Sequence, residues 1–127
     1  MEIMANSDNV LRGGLTMKHI DVGELMKHTK FEATVPNVLT GRGNVEKEFK
    51  TPAADFELRE IELDGGQDVE LEATTAEVFF VYKGEVQVSD GSVDMNLKSG
   101  ECLLATAGAK FKMKAENNAV VFMATVP

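Results

Sequence analysis

The stretch that decides the fold is residues 78–88, which read VFFVYKGEVQV. Its first five residues are continuously apolar and either β-branched or aromatic, which predicts a strand buried on both faces. Lys83-Gly84 predicts a tight turn, because glycine readily takes the backbone conformation that such turns need. Val86 and Val88 then alternate with polar residues, which predicts a second strand with one buried face.

Short strands of this kind continue outward from that stretch, from about residue 55 to the end of the chain. Residues 93–97 alternate, residues 102–105 and 120–124 are apolar, and glycine-containing or asparagine-containing turns separate them. Residues 56–58 and 61–63 form two alternating pairs that are out of phase, which predicts a β-bulge between them. About eight short strands at a spacing of roughly 8–12 residues predict an all-β sandwich or barrel.

One short helix is predicted near residues 21–30, ahead of the strands. Asp21 can cap it, and Glu24, three places on, would complete a capping box. An apolar stripe at i, i+3, i+4 and i+7 starts at Val22. Residues 34–44 are rich in Pro, Gly and Asn and are predicted to form a loop.

The length of 127 residues fits one domain. We expect residues 1–50 to form a loop segment, helix and connecting loop, and residues 51–127 to form the β-barrel, together as one structural domain. The first part carries seven basic and seven acidic residues, and the second carries six and fourteen, so all of the net charge of −8 lies in the second. A site for an anionic substrate is therefore expected in the first part.

Charge and composition also limit the partners. A net charge of −8 argues against nucleic acid or an anionic membrane, which need clustered Lys and Arg. No apolar run approaches the roughly 20 residues of a membrane span, and the N-terminus does not resemble a signal peptide. The single cysteine, Cys102, lies in an apolar run and is predicted to be a buried small hydrophobe, which fits a cytoplasmic protein.

The second part of the chain resembles a cupin, a jelly-roll β-barrel or sandwich. Residues 81–86, VYKGEV, resemble the end of the first cupin motif, and residues 97–101, LKSGE, resemble the turn that opens the second. Metal-binding cupins carry a His-x-His pair, a Glu and another His near these turns. Residues 71–79 and 106–112 contain no His, so the resemblance implies a mainly β, metal-free cupin-like barrel with one short helix.

A transition-metal site is not expected from the histidines. His19 and His28 are nine residues apart, which would put them on opposite faces of a helix. Zinc sites usually gather three or four His, Cys or carboxylate ligands. Both histidines are predicted to lie on the surface beside the helix. Phe79, Phe80 and Phe122 are predicted to pack in the core rather than to line a ligand pocket.

The first residues hold the strongest functional motif. Residues 2–22 read EIMANSDNVLRGGLTMKHIDV, in which an Arg, a Lys, an Asp and a Glu surround a Gly-Gly turn. Arginine and lysine both suit phosphate or sugar hydroxyls. From spacing alone, a solvated loop whose charges never meet is the favoured interpretation.

The string also resembles the signature of type I mannose-6-phosphate isomerases, S-D-N-V-(L/V)-R-A-G-L-T-P-K. Further segments agree with the family in the same order: residues 20–22, 30–32, 52–58, 61–64 and the two turns at 84–85 and 100–101. Gly13 replaces the usual Ala and Met17 the usual Pro, and neither change removes a functional group. The resemblance covers nearly the whole chain.

The resemblance implies a role for four residues. These isomerases interconvert mannose 6-phosphate and fructose 6-phosphate with a bound zinc. Arg12 matches the catalytic Arg, which would stabilise an enediol-like intermediate or hold the substrate. Lys18, Asp8 and Glu2 match substrate-binding residues of the same pocket.

The family's zinc ligands, a Gln, two His and a Glu, are expected to precede this sequence. The resemblance therefore implies the C-terminal domain of such an isomerase, which would be inactive alone because no metal or other cofactor is expected in this chain. An N-terminal catalytic domain or self-association through an exposed surface are the expected protein partners. A stand-alone, non-catalytic sugar-binding or structural module and a split enzyme remain the alternatives.

Overall fold

The computed structural model describes residues 10–41, 43 and 45–127 of the chain. The chain divides into two compact units, one that reaches Val38 and one that begins at Leu39. The first contains the helix and the second contains all the strands of the described residues. The first strand, Glu46–Phe49, precedes the boundary that the sequence suggested at residue 51 and pairs with the second strand.

The strands form two antiparallel sheets, which confirms the prediction of a mainly β fold with one short helix. In chain order the elements are α1 (Val22–His28), β1 (Glu46–Phe49), β2 (Glu57–Leu63), β3 (Asp68–Glu72), β4 (Glu77–Lys83), β5 (Glu85–Ser89), β6 (Asp94–Lys98), β7 (Cys102–Ala105), β8 (Lys110–Ala115) and β9 (Ala119–Thr125). One sheet has the order β1-β2-β9-β4-β7 and the other the order β3-β8-β5-β6. No helix among the described residues is long and apolar enough to cross a membrane.

The core is built from the inward-facing side chains of both sheets. Phe79 on β4 is fully buried and meets Phe111 on β8 edge-to-face, with ring centroids 5.4 Å apart at 88°. Ile61, Met113 and Val121 are also fully buried. Because the interior is filled with apolar side chains, the hydrophobic effect is the main force that stabilises the fold.

The turns of the two cupin-like motifs are joined by hydrogen bonds. The Gly100 N–H donates to the carbonyl of Val81 at 2.8 Å, and the Ser99 N–H donates to the carbonyl of Gly84 at 3.0 Å. The Ser99 hydroxyl donates to the carbonyl of Tyr82 at 2.8 Å. The backbone of each turn therefore satisfies polar groups of the other.

Strand β4 is buried on one face only, so the prediction of burial on both faces was wrong. Phe79 and Val81 point into the core, whereas Val78 and Tyr82 point outward and are 43% and 62% exposed. Phe80 is half-buried on the outward face, so only part of the predicted phenylalanine core is central. A continuously apolar strand is buried on both faces only when a layer of structure covers each side of its sheet.

Cys102 is exposed, contrary to the prediction that it is a buried hydrophobe. Alternation along β7 turns Leu103 and Ala105 toward the core and leaves Cys102 and Leu104 outside. An apolar run of four residues does not reveal which members face inward, because successive strand side chains point to opposite faces.

The bulge predicted in β2 is absent. Strand β2 pairs with β9 in one unbroken register, from Glu57 with Thr125 to Leu63 with Ala119. The phase slip has another cause: Ile61 and Leu63 face the core, whereas Leu58 faces outward, opposite Ala124 of β9. A register irregularity occurs instead between Val81 and Lys83.

Candidate functional site

Two of the four residues predicted for the site lie in the described part of the chain. Arg12 is half-buried and Lys18 is exposed, and both belong to the N-terminal unit. Glu2 and Asp8 lie outside the described residues. The geometry of the site is therefore that of the segment around Arg12 and Lys18.

This segment, residues 12–21, is a loop whose ends are tied together; we call it the cationic loop. The Asp21 N–H donates to the carbonyl of Arg12 at 3.2 Å. The Asp21 carboxylate accepts the Glu24 N–H at 2.8 Å and so caps α1, which begins at Val22. The hydrogen bonds of Asp21 thus fix the start of the helix and the two ends of the loop at one point.

The capping box is only half formed, which corrects the sequence prediction. The Glu24 side chain does not bond to the Asp21 N–H; it binds Lys27 at 2.7 Å and His28 at 2.9 Å instead. The hydrogen bond from Lys27, then that from His28, lowers the pKa of the Glu24 carboxyl from its ordinary value. The Asp21 N–H is thereby left for the Arg12 carbonyl.

Local contacts shape the inside of the cationic loop. A Cβ at Gly13 would lie 3.0 Å from Cδ2 of Leu25, so the chain passes close to the helix there. Leu15 has a φ of 56°, a left-handed conformation that is unusual for a leucine. The Thr16 hydroxyl accepts the Lys18 N–H at 3.2 Å, which turns the backbone before Lys18.

The charge of this segment is positive in an acidic protein. Residues 12–21 contain two cations, Arg12 and Lys18, and one carboxylate, Asp21, which caps α1. None of the ion pairs formed within residues 10–41, 43 and 45–127 involves either side chain. A guanidinium and an ammonium on one closed loop offer the donors that a phosphate or a sugar oxyanion requires.

The loop also carries two apolar side chains that sequence reasoning did not single out as a feature. Leu15 and Met17 are both fully exposed, beside the cationic Lys18. The replacement of the usual Pro by Met17 was the available signal, because it puts a large apolar side chain into a segment of polar and charged residues.

The two histidines do not share a helix, so the geometric reason given for separating them was wrong. Helix α1 begins at Val22, which leaves His19 before it and His28 in its last turn. No three His, Cys, Asp or Glu side chains cluster as metal ligands in the part of the chain that the structure describes. The described residues therefore do not fit a zinc site.

The barrel holds a buried carboxylate that the sequence did not reveal. Glu77 is 6% exposed at the start of β4, on the inward face. Its Oε1 accepts the Thr74 N–H at 3.2 Å and the Thr125 hydroxyl at 3.5 Å. These two donors give the carboxylate the hydrogen bonds that a buried polar group needs, which indicates a structural role.

The cleft at this end of the barrel is less suited to a phosphate than the cationic loop. It has a volume of about 250 Å³, and Arg59 is its single basic lining residue among the described residues. Arg59 already forms ion pairs with Glu46, at 2.5 Å, and with Glu57. An incoming anion would have to displace one of these carboxylates, at a cost in free energy.

Comparison with known proteins gives mannose-6-phosphate isomerases as relatives. No protein-family model matches the chain. Mannose-6-phosphate isomerase of Escherichia coli (strain K12) is 36% identical over 110 residues, which is 84% of this chain and 28% of that protein. Mannose-6-phosphate isomerase 2 of Arabidopsis thaliana is 29% identical over 121 residues, or 93% of this chain and 27% of that protein. The chain thus spans little more than a quarter of these relatives.

Solved structures agree with the sequence matches. A variant of phosphomannose isomerase from Salmonella typhimurium superimposes with a TM-score of 0.78 at 28% identity, covering 96% of this chain and 31% of that one. A cupin-2 domain protein from Shewanella frigidimarina matches at 22% identity with a TM-score of 0.53 over 61% of this chain. The second match shows the fold alone and confirms that the barrel is cupin-like.

Proposed function

The chain is homologous to the C-terminal part of mannose-6-phosphate isomerase, as its motifs implied, and from this we propose that it serves as that domain of such an enzyme. The complete enzyme would interconvert mannose 6-phosphate and fructose 6-phosphate with a bound zinc. This chain would supply Arg12 and Lys18 to the active site. Asp8 and Glu2 are proposed as further substrate contacts on the basis of the motif.

The observation that carries the proposal is the cationic loop. Arg12 and Lys18 lie on one loop that a backbone hydrogen bond closes, and the one carboxylate of that loop, Asp21, is engaged as the helix cap. The planar guanidinium of Arg12 suits two neighbouring oxygens, such as those of the enediol-like intermediate. The Lys18 ammonium is a point charge on a flexible stem, which suits a phosphate.

Zinc, in this proposal, is bound by residues outside this chain. When bound, the metal would polarise the substrate oxygens. The residues described here do not gather a set of zinc ligands, so we assign them no step through the metal. Their part is to bind and orient the phosphosugar, and an N-terminal catalytic domain would supply the rest.

A stand-alone sugar-binding module is the second candidate. The observation that favours it is that the cationic loop is closed within this chain, by the hydrogen bond from the Asp21 N–H to the Arg12 carbonyl. Such a module would keep the fold and the cationic loop without the reaction. Both candidates predict binding of the phosphosugar, and they differ in whether an added catalytic domain restores isomerisation.

Titration of the 127-residue chain with mannose 6-phosphate tests the site. We expect a dissociation constant in the millimolar range or better, and Lys18→Ala should weaken binding roughly tenfold, since a hydrogen bond to a charged group contributes about 1.5–3 kcal/mol. Lys30→Ala removes the same charge outside the loop and should leave the affinity unchanged. Equal effects of the two substitutions would argue for attraction by net charge alone.

An activity measurement tests whether the reaction needs a separate zinc-binding domain. The purified 127-residue chain should show no isomerase activity, because the zinc that would polarise the substrate oxygens is bound by residues outside this chain. A measurable rate that Arg12→Ala abolishes would show that the chain is a complete catalyst and would overturn the proposed role of a separate zinc domain.

A further inference from the structure

The structural hydrogen bonds of Glu77 occupy only one of its two carboxylate oxygens. The Thr74 N–H and the Thr125 hydroxyl both donate to Oε1, at 3.2 and 3.5 Å. Among the described residues, no group donates a hydrogen bond to Oε2. The two bonds therefore hold the carboxylate in one orientation and leave the second oxygen able to accept further hydrogen bonds.

This second oxygen opens onto the cleft of about 250 Å³ at the end of the barrel, which Glu77 helps to line. In the described ranges, no fully enclosed side-chain oxygen or nitrogen lacks a hydrogen-bond partner. Since Oε2 has no such partner, it is not fully enclosed. The 6% of Glu77 that is exposed therefore includes this oxygen, and a molecule in the cleft can reach it.

Glu77 also differs from the other acids of the cleft in its lack of a basic partner. The others each form an ion pair, at 2.5, 3.8 and 3.2 Å respectively: Glu46 with Arg59, Glu70 with Lys112, and Glu72 with Lys110. No ion pair of the described residues includes Glu77. Because water solvates a buried carboxylate poorly, such a group is normally paired with a cation. The most buried acid of the cleft is thus the one whose charge is not balanced.

Arg59 does not balance this charge. It is the single basic lining residue of the cleft among the described residues, and its guanidinium already donates to Glu46 and Glu57. If Arg59 moved to Glu77, those two carboxylates would lose their own partner, at a cost in free energy. A cation from outside the chain can pair with Glu77 without that cost.

The walls of the cleft favour an organic cation. Leu71 on β3 and Met123 on β9 line it beside the acids, so an alkyl chain could pack against them. A volume of about 250 Å³ is several times the roughly 30 Å³ of one water molecule, which leaves room for a small organic molecule. No three metal-ligating side chains cluster in the part of the chain that the structure describes, which disfavours a metal ion.

We propose that this cleft binds a small primary amine in its ammonium form, with the ammonium group hydrogen-bonded to Oε2 of Glu77 and the alkyl part packed against Leu71 and Met123. The bonds from Thr74 and Thr125 already hold the carboxylate in place, so binding requires little ordering of the site. No residue of the cationic loop takes part. The inference therefore does not depend on the proposed isomerase function.

NMR titration of the 127-residue chain with n-butylammonium tests the site. We expect saturable shifts at the amides of Thr74, Glu77 and Thr125, with a dissociation constant in the millimolar range. The compounds 1-butanol and propionate are similar in size but carry no positive charge, and they should bind at least tenfold more weakly. Shifts that do not saturate, or a control compound that binds as tightly as n-butylammonium, would overturn the proposal.

Two substitutions distinguish Glu77 from the general negative charge of the protein. Glu77→Gln keeps an acceptor for Thr74 and Thr125 but removes the charge, and it should weaken the binding of n-butylammonium at least tenfold. Glu72→Gln removes the same charge from an acid of this cleft that already has a partner, and the affinity should stay within about twofold. Equal effects would show that net charge alone attracts the amine, which would contradict the proposed site.

The buried position of Glu77 calls for a check of folding. Thermal unfolding of Glu77→Gln should be cooperative, since the amide oxygen can replace Oε1 as the acceptor for Thr74 and Thr125. If the variant does not fold, the comparison of n-butylammonium with 1-butanol and propionate on the unaltered chain decides the question by itself.

Discussion

At the scale of single residues, Gly84 links the sequence motif to the fold. It has a φ of +83°, and a Cβ there would lie 2.6 Å from the carbonyl oxygen of Asn118 and 3.0 Å from Cα of Ala119. Two conditions therefore require glycine: the left-handed backbone and the close passage of the β8–β9 connection. Gly91 meets only the first, with a φ of +87° and open space around it.

Replacement of these two glycines by alanine separates the two effects. Gly91→Ala should lower the free energy of unfolding by about 1–2 kcal/mol, which is the cost of the left-handed conformation. Gly84→Ala should lower it by more than about 3 kcal/mol, because the backbone of Asn118 and Ala119 must also move. Urea denaturation of both variants measures the difference. Equal losses would show that the close approach is relieved without cost.

At the scale of elements, helix α1 and the cationic loop depend on the same cap. The helix has seven residues and no buried ones, so packing contributes little to it. Helices this short are marginal without such support. The hydrogen bonds of Asp21 then stabilise the first turn and the loop that presents Arg12 and Lys18.

Loss of the cap should weaken both the helix and ligand binding. Asp21→Ala should cost about 1 kcal/mol of helix stability, seen as faster hydrogen exchange at the Thr29 amide, which bonds to the carbonyl of Leu25. The affinity for mannose 6-phosphate should fall about fivefold in parallel. Asp21→Asn removes the charge but keeps the acceptor, and it should retain both properties. If Asn behaves like Ala, the charge and not the cap is responsible.

At the scale of the whole molecule, the core belongs entirely to the unit that begins at Leu39. The buried cluster and the hydrophobic side chains packed on it lie between Val45 and Met123. Strand β1 is part of this unit: Lys47 binds Glu60 at 3.2 Å, and Arg59 binds Glu46 at 2.5 Å. The strand unit therefore contains the contacts needed for cooperative unfolding.

Two shortened chains test this division. Residues 39–127 should unfold cooperatively with a melting temperature within about 5 °C of the full chain, and should not bind mannose 6-phosphate. Residues 51–127, the barrel as the sequence delimited it, lack β1 and its ion pairs and should melt at least about 5 °C lower than residues 39–127. Similar melting of the two would show that β1 contributes little to the barrel.

The sequence determined the local features and the family of this protein. Asp21 was predictable as a helix cap and the turns at Gly84 and Gly100 as cupin-like turns, because a cap or a tight turn depends on a few neighbouring residues. The motif around Arg12 identified the relatives, and the comparisons confirm it. The roles of Arg12, Lys18, Asp8 and Glu2 stay predictions.

Only the tertiary structure decided which apolar residues are buried. Val78, Cys102 and Leu104 have the same hydrophobic character as their buried neighbours, and Leu58 gave the false signal of a bulge. The apolar character of a side chain does not show which of the two faces of its strand the second sheet covers. The arrangement of two sheets buries one side of β4 and β7 and leaves the other side outside the core, because a sandwich has only one interior.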